Sequence, residues 1–260
     1  MRCFLKLLTF ALLASALQTV DSKAYGKDDL DKKAVEIVKQ AGDLIKNAKS
    51  FHADATVQTD REEDGKKQRL SVSGTYDIVR PKQFSFRIRQ IDSKGAGVDI
   101  VSDGKKLFAN AQRLKQYTEE EAPSDVTEIG NSLGRYGLQN VGMLFRNIVT
   151  EDPHETLMSG VTSCSIVGDE KIDGAPAHHL KFSQPEFEWE LWVAAEGKPF
   201  ILKMTSTASG DQGKRSLVET YKNWKIDESI DPTAFTYTPP KDAKKVDSID
   251  PEAQSNKEDK

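Results

Sequence analysis

Two adjacent histidines, His178 and His179, form the most visible polar pair in the 260-residue chain. Neighbours on a strand project to opposite faces, so this pair does not converge on one metal ion. His52 and His154 stand apart and belong to no recognised ligand spacing. Cys164 lies inside Val161-Thr162-Ser163-Cys164-Ser165-Ile166-Val167, a strand interior. No Cys-x-x-Cys pair or helix start is present to lower its pKa, so it reads as a buried spectator thiol. A Gly-x-Ser-x-Gly elbow for acyl transfer is missing. Gly95-Ala96-Gly97 precedes a strand, whereas phosphate-cradling loops follow a strand and open a helix. Paired carboxylates can run glycoside hydrolysis. Glu119-Glu120-Glu121 and the row Glu186, Glu188 and Glu190 are equally explained as a solvated outer face with aromatic residues behind it. The residue types therefore predict no enzyme, no metal and no cofactor. Trp192, outward among the glutamates, is expected to touch a helix or a partner.

The elements that carry these residues follow an export signal. Arg2 and Lys6 precede the apolar run Leu7 to Leu17 and the small-x-small triplet Ala14-Ser15-Ala16. This pattern predicts a signal peptide within residues 1–24, cleaved between Ala16 and Ala24. The run is too short to span a bilayer as a helix, which needs roughly 20 residues. Cleavage removes Cys3 and leaves Cys164 without a disulfide partner, so the mature chain must rely on its core. Lys+Arg number 37 against 41 Asp+Glu, which gives nucleic-acid binding no global electrostatic support. A soluble, monomeric exported protein is expected.

Asp28 to Lys49 is the clearest helix. Leu30, Ala34, Ile37, Val38, Ala41, Leu44, Ile45 and Ala48 recur at three- and four-residue steps, with Asp28 or Asp29 as the expected cap. From Ser50 the period changes to two, and Asp64-Gly65, Asp103-Gly104 and Asp173-Gly174 mark hairpin turns. Val126 to Val149 has looser helical spacing broken by Gly130, Gly134, Gly137 and Gly142, and predicts one or two short helices. After Pro240 only Val246 and Ile249 are sizeable and apolar, so residues 241–260 are expected to form a disordered polar tail behind a folded domain at 25–240.

These patterns predict a mainly β fold with some α: a strongly curved antiparallel half-barrel sheet of about nine to eleven strands covered by helices. One face would carry Tyr76, Phe84, Phe86, Ile88, Phe187, Trp189 and Leu191, the candidate ligand-binding residues. If the helices fill that face it is a core. If they leave a gap, it is an apolar cavity able to hold an acyl chain.

Several stretches resemble the bacterial lipoprotein-carrier and outer-membrane-assembly superfamily, in particular its branch of predicted periplasmic proteins. They are Ile78-Val79-Arg80-Pro81-Lys82-Gln83-Phe84, Ser102-Asp103-Gly104-Lys105-Lys106-Leu107, Ile172-Asp173-Gly174-Ala175-Pro176-Ala177-His178-His179-Leu180, Glu190-Leu191-Trp192-Val193 through Lys198-Pro199, and Phe235-Thr236-Tyr237-Thr238-Pro239-Pro240. They occur in the family's order over about Leu30 to Pro240. The resemblance implies a helix-closed curved sheet with an apolar cavity, and a carrier of lipid or a lipoprotein acyl chain working without catalysis. The family's carriers hold their lid with a strand arginine. Arg87 and Arg89 point away from the Phe84, Phe86 and Ile88 face by alternation, so that role is not carried over. The alternative is a packed structural or protein-interaction domain that meets an envelope protein partner and takes no small ligand.

Overall fold

Asp31 starts the first helix. Its carboxylate accepts from Lys33 N at 2.8 Å and Ala34 N at 3.1 Å, and so satisfies two of the orphan amides that open α1 (Lys32–Asn47). The cap is therefore not Asp28 or Asp29, because Leu30 makes a parallel bridge with Cys164 and Asp31 N donates to the Cys164 carbonyl. The apolar stripe is as the spacing predicts: Ala34, Ile37, Val38, Ala41 and Ile45 are buried. The computed structural model describes residues 30–63, 66–91, 97–130, 143–185, 187–210 and 213–249. The predicted signal peptide lies outside them, as do the Asp64-Gly65 turn, Gly95, Ala96, Glu186 and residues 131–142.

Alternation builds the strands β1 (Ser50–Glu63), β2 (Lys66–Val79), β3 (Gln83–Gln90), β4 (Gly97–Asp103), β5 (Lys106–Ala111) and β6 (Gln116–Glu121). The short helices α2 (Thr127–Gly130), α3 (Met143–Ile148) and α4 (Pro153–Met158) follow. Then come β7 (Ser163–Ile172), β8 (Ala175–Ser183), β9 (Phe187–Ala194), β10 (Ile201–Gly210), β11 (Gly213–Ile226), a 3-10 turn at Pro232–Phe235 and β12 (Lys244–Lys245). Asp173 and Gly174 both take positive φ, 50° and 88°, the conformation that an Asp-Gly hairpin turn requires.

The expected strongly curved half-barrel does not form. Among the described residues the strands make one open, twelve-stranded sheet in the order β12-β6-β5-β4-β3-β2-β1-β11-β10-β9-β8-β7. A barrel needs its end strands to pair; here β7 and β12 lie at opposite edges. Nor is the sheet wholly antiparallel, since β12 runs parallel to β6. Separate covering pieces remove the need to curl. On the inner face lie α1, α3 and α4, with Lys46 of α1 bonded at 2.6 Å to Asp152, the residue that caps α4. On the outer face of β3 and β4 lies the 3-10 turn, where Arg87 donates to the Ala234 carbonyl at 3.1 Å. The tail expected from residue 241 is ordered as far as Ile249: Lys244 and Lys245 pair with Gln116 and Tyr117, and Ile249 is buried in the core.

Replacing Asp31 by Ala should lower the stability of the domain by about 1 kcal/mol, the usual loss for a helix cap. Urea unfolding with an unchanged slope and a lower midpoint is the expected outcome.

Candidate functional site

Strand register decides which side chains share the inner face. Tyr76 opposes Phe86, Ile78 opposes Phe84 and Gly74 opposes Ile88. Across the sheet Leu191 opposes Met204 and Trp189 opposes Ser206. All seven candidate residues thus point to one side. Tyr76, Phe84, Phe86, Ile88, Trp189 and Leu191 are buried in one hydrophobic cluster, and Phe187 packs partly buried against it. They do not form one contiguous patch. Tyr76 on β2 and Leu191 on β9 are separated by β1, β11 and β10, four inter-strand steps or about 19 Å. One aromatic group is Tyr76, Phe84 and Phe86. The other is Trp189 stacked on Phe182 with ring centroids 3.9 Å apart.

Between the two groups the floor is low. That holds only on β1, with Ala53 and Ala55; β11 and β10 place Tyr221, Glu219 and Met204 beside them, and on β2 the Tyr76 ring leans over Gly74. A methyl group on Gly74 would sit 2.8 Å from Tyr76 Oη and 2.9 Å from its ring carbon. Phe145 of α3 closes this region from above. Its ring stacks on Tyr76 at 4.0 Å and meets Phe86 edge-on at 4.8 Å.

Polar groups sit in this apolar setting. Glu219 is 0% exposed and accepts a hydrogen bond from Tyr221 Oη at 2.9 Å. Burial, and then the Glu219 charge, push the Tyr221 phenol well above its ordinary range. Burial also raises Tyr76, with Glu219 adding to it. Tyr76, 1% exposed, has a hydroxyl with no hydrogen-bond partner. An unmet buried donor costs about 1–3 kcal/mol.

The remaining sequence candidates fall elsewhere. His178 and His179 turn to opposite faces as alternation requires: His178 bonds Asp169 at 2.7 Å, and His179 bonds Glu170 at 2.9 Å and Glu190 at 3.2 Å. Trp192 is buried, not a free outer contact. It stacks on His179 at 4.1 Å, donates to Glu170 and lies under the Lys203 ammonium. Cys164 is buried, and burial raises its thiol pKa. Among the described residues no three His, Cys, Asp or Glu side chains gather as a metal site, and no helix is long and apolar enough to cross a membrane.

Sequence reasoning missed the outer-face pair His52–Asp77. His52 Nδ1 and Asp77 Oδ1 are 2.7 Å apart, and the two residues oppose each other on β1 and β2. Only the register reveals it, since 25 residues separate them. The hydrogen bond to Asp77 raises the imidazole above its ordinary value, against the effect of burial.

Replacing Gly74 by Ala should displace the Tyr76 ring and destabilise the fold by about 1–3 kcal/mol, with loss of near-UV circular dichroism from the Tyr76–Phe145 stack. A raised folded pKa gives stability that is full below the unfolded value and lost as pH rises through the folded one. The stability gap between wild type and His52→Gln should therefore be widest below about pH 6.5 and shrink above it, as followed by urea unfolding across pH.

Comparison with solved structures finds the Mycobacterium tuberculosis lipoprotein LppX, 18% identical over 77% of this chain and 98% of that one, with a TM-score of 0.46. An uncharacterized conserved protein from Thermus thermophilus is 14% identical over 83% and 99%, at 0.43. LprF from Mycobacterium bovis is 13% identical over 83% and 100%, at 0.39. A search of curated proteins finds no match. The family model described as predicted periplasmic protein (DUF2092) matches residues 34–249, and the chain belongs to that periplasmic family.

Proposed function

We propose that this periplasmic protein is a monomeric, non-enzymatic carrier or binding protein for a lipid, a lipoprotein acyl chain or a similar apolar ligand. The ligand would lie on the inner face between the Tyr76–Phe84–Phe86 group and the Phe187–Trp189–Leu191 group, with Ile88 beside the first. The observation that carries this reading is the way Phe145 closes that face. One aromatic side chain on a six-residue helix fills the space over Tyr76 and Phe86. Helix α3 packs on α4 and α1 and meets the sheet through Phe145, with Ile148 buried beside it, so an outward shift would uncover an apolar surface. The small side chains of Ala53 and Ala55 would give an extended chain room once α3 shifts, and the Tyr76 hydroxyl would supply a donor for its polar end. Apolar burial would drive binding, at about 25 cal/mol per Å² removed from water.

A second reading, a protein-interaction domain of an envelope assembly, is favoured by β7. This strand forms one edge of the sheet, bridged only at Cys164 by Leu30 among the described residues, with Val167 54% exposed. An edge of that kind can accept a partner strand.

Titration with anthroyloxy-labelled stearic acid separates the two. The carrier reading expects saturable, one-to-one binding by the wild-type protein. Replacing Phe145 by Ala should lower stability by about 3 kcal/mol yet tighten binding, because the plug is gone. Replacing Tyr76 by Phe should weaken binding and leave stability equal or higher. No saturable binding by either the wild type or Phe145→Ala would leave the interaction domain as the surviving reading.

A further inference from the structure

A second cleft, on the opposite face of the sheet, has the attributes of a built site. The chain after β11 crosses the outer face as a strap and ends by pairing with β6. Asp231 caps the 3-10 turn, and Phe235 is buried beneath it. Tyr237 then lies beside Phe108 at 5.1 Å and Tyr117 at 6.2 Å. Between the strap and β3 to β5 is a cleft of about 400 Å³ lined by Arg87, Asp99, Asn110, Gln112 and Tyr237, with Lys115 and Asp242 also on its lining.

The polar atoms in it are oriented but incompletely used. Asp99, buried, accepts from Arg89 at 2.6 Å, Gln112 at 3.0 Å and Asn110 at 3.3 Å. The Asn110 bond fixes that amide with its nitrogen toward Asp99. Asn110 is 2% exposed, and its Oδ1 has no hydrogen-bond partner. Tyr237 Oη is likewise buried without one. Burial lifts the Tyr237 phenol to about 12, with Asp99 adding to it, so at neutral pH it keeps its proton and can donate. Native interiors seldom leave such atoms unmet, and two of them on one cleft point to a bound molecule.

The unmet atoms define its chemistry. Asn110 Oδ1 needs a donor; Tyr237 Oη and the free N–H groups of Arg87 offer donors to an acceptor. The lining charges balance, Arg87 and Lys115 against Asp99 and Asp242, so a net charge on the ligand gains nothing. Hydroxyl groups both donate and accept, and a sugar ring adds C–H edges that suit the walls of Tyr237 and Pro240. We propose that the cleft under the strap binds a neutral saccharide unit, held by Asn110, Tyr237 and Arg87.

Protein-observed NMR titration of the full mature chain with glucose, mannose and N-acetylglucosamine tests it. At least one sugar should give saturable shifts at the Asn110 side-chain amide and along residues 236–243. Replacing Tyr237 by Phe keeps the ring and removes the hydroxyl. It should weaken binding about tenfold, with the thermal midpoint unchanged or raised. The absence of a saturable shift with all three sugars overturns the proposal, as does equal affinity in a folded Tyr237→Phe variant. Crystals of the wild-type protein soaked in the tightest-binding sugar give an independent check. Sugar on Asn110 Oδ1 and Tyr237 Oη supports the site, and ordered water alone on both atoms overturns it.

Discussion

Register between β1 and β11 is the constraint on which the molecule depends. Phe51 pairs with Ile226, Ala55 with Tyr221 and Thr59 with Leu217, and this seam joins the half made of β1 to β6 and β12 to the half made of β7 to β11. A shift of one residue would turn every side chain of one half to the other face. Tyr76 and Phe86 would then face the opposite side from Trp189 and Leu191, and neither face could be covered by α1 and α3. The seam also sets Glu219 beside Val57 and Met204, so a buried carboxylate is placed by long-range pairing and not by its own neighbours in the chain. Between His52 and Asp54 the register shifts by one residue at a bulge, and from Asp54 to Glu62 it then runs without a break.

Much of the local structure was legible before the fold was known, for a simple reason. Helical and strand periods are properties of a few consecutive residues, so the buried stripe of α1 and the inward set Tyr76, Phe84, Phe86, Ile88, Trp189 and Leu191 could be read from spacing. Asp173-Gly174 was legible because only a few residue types accept two successive positive φ values. What depends on distant pairing was not. Spacing placed the candidates on one face, but it hid the three strands that split them into two groups. Asp31 was passed over as a cap because the competing event, the bridge of Leu30 to Cys164, lies 134 residues along the chain. Residues 241–249 read as a tail because their ordering comes from the edge of β6 and from burial of a single isoleucine, neither of which leaves a periodic trace. The curl of the sheet was overestimated because width alone favours it, whereas separate covers on each face allow an open sheet to bury both sides.

The two faces use buried polarity differently. On the outer face most such groups meet each other: His179 lies between Glu170 and Glu190, and His52 holds Asp77. The same face also holds the buried Ser85 hydroxyl, which has no partner. On the inner face Tyr76 keeps a free hydroxyl within an aromatic cluster, and under the strap Asn110 and Tyr237 each keep an unmet oxygen. Removing such a hydroxyl would cost the fold little, whereas the phenyl ring it belongs to is needed for packing.

The two edges of the sheet are closed unequally. At one, β12 pairs with β6, Lys245 bonds Glu119 at 2.8 Å, and the chain continues to bury Ile249 on the inner side. Among the described residues the other is closed only at its start, where Leu30 meets Cys164. Beyond that point β7 carries Asp169, Glu170 and Lys171, whose charges would restrict which strands could pair with this edge. Both closures tie a chain segment to the sheet, one just before α1 and one after the strap. The helical cover of the inner face and the strap of the outer face are thus each anchored at an edge and laid across the sheet from there. The inner cover is held over the middle of the sheet by a few side chains, Phe145 against Tyr76 and Phe86 with Ile148 buried beside them, and it forms a layer separate from the hydrogen-bonded strands beneath it.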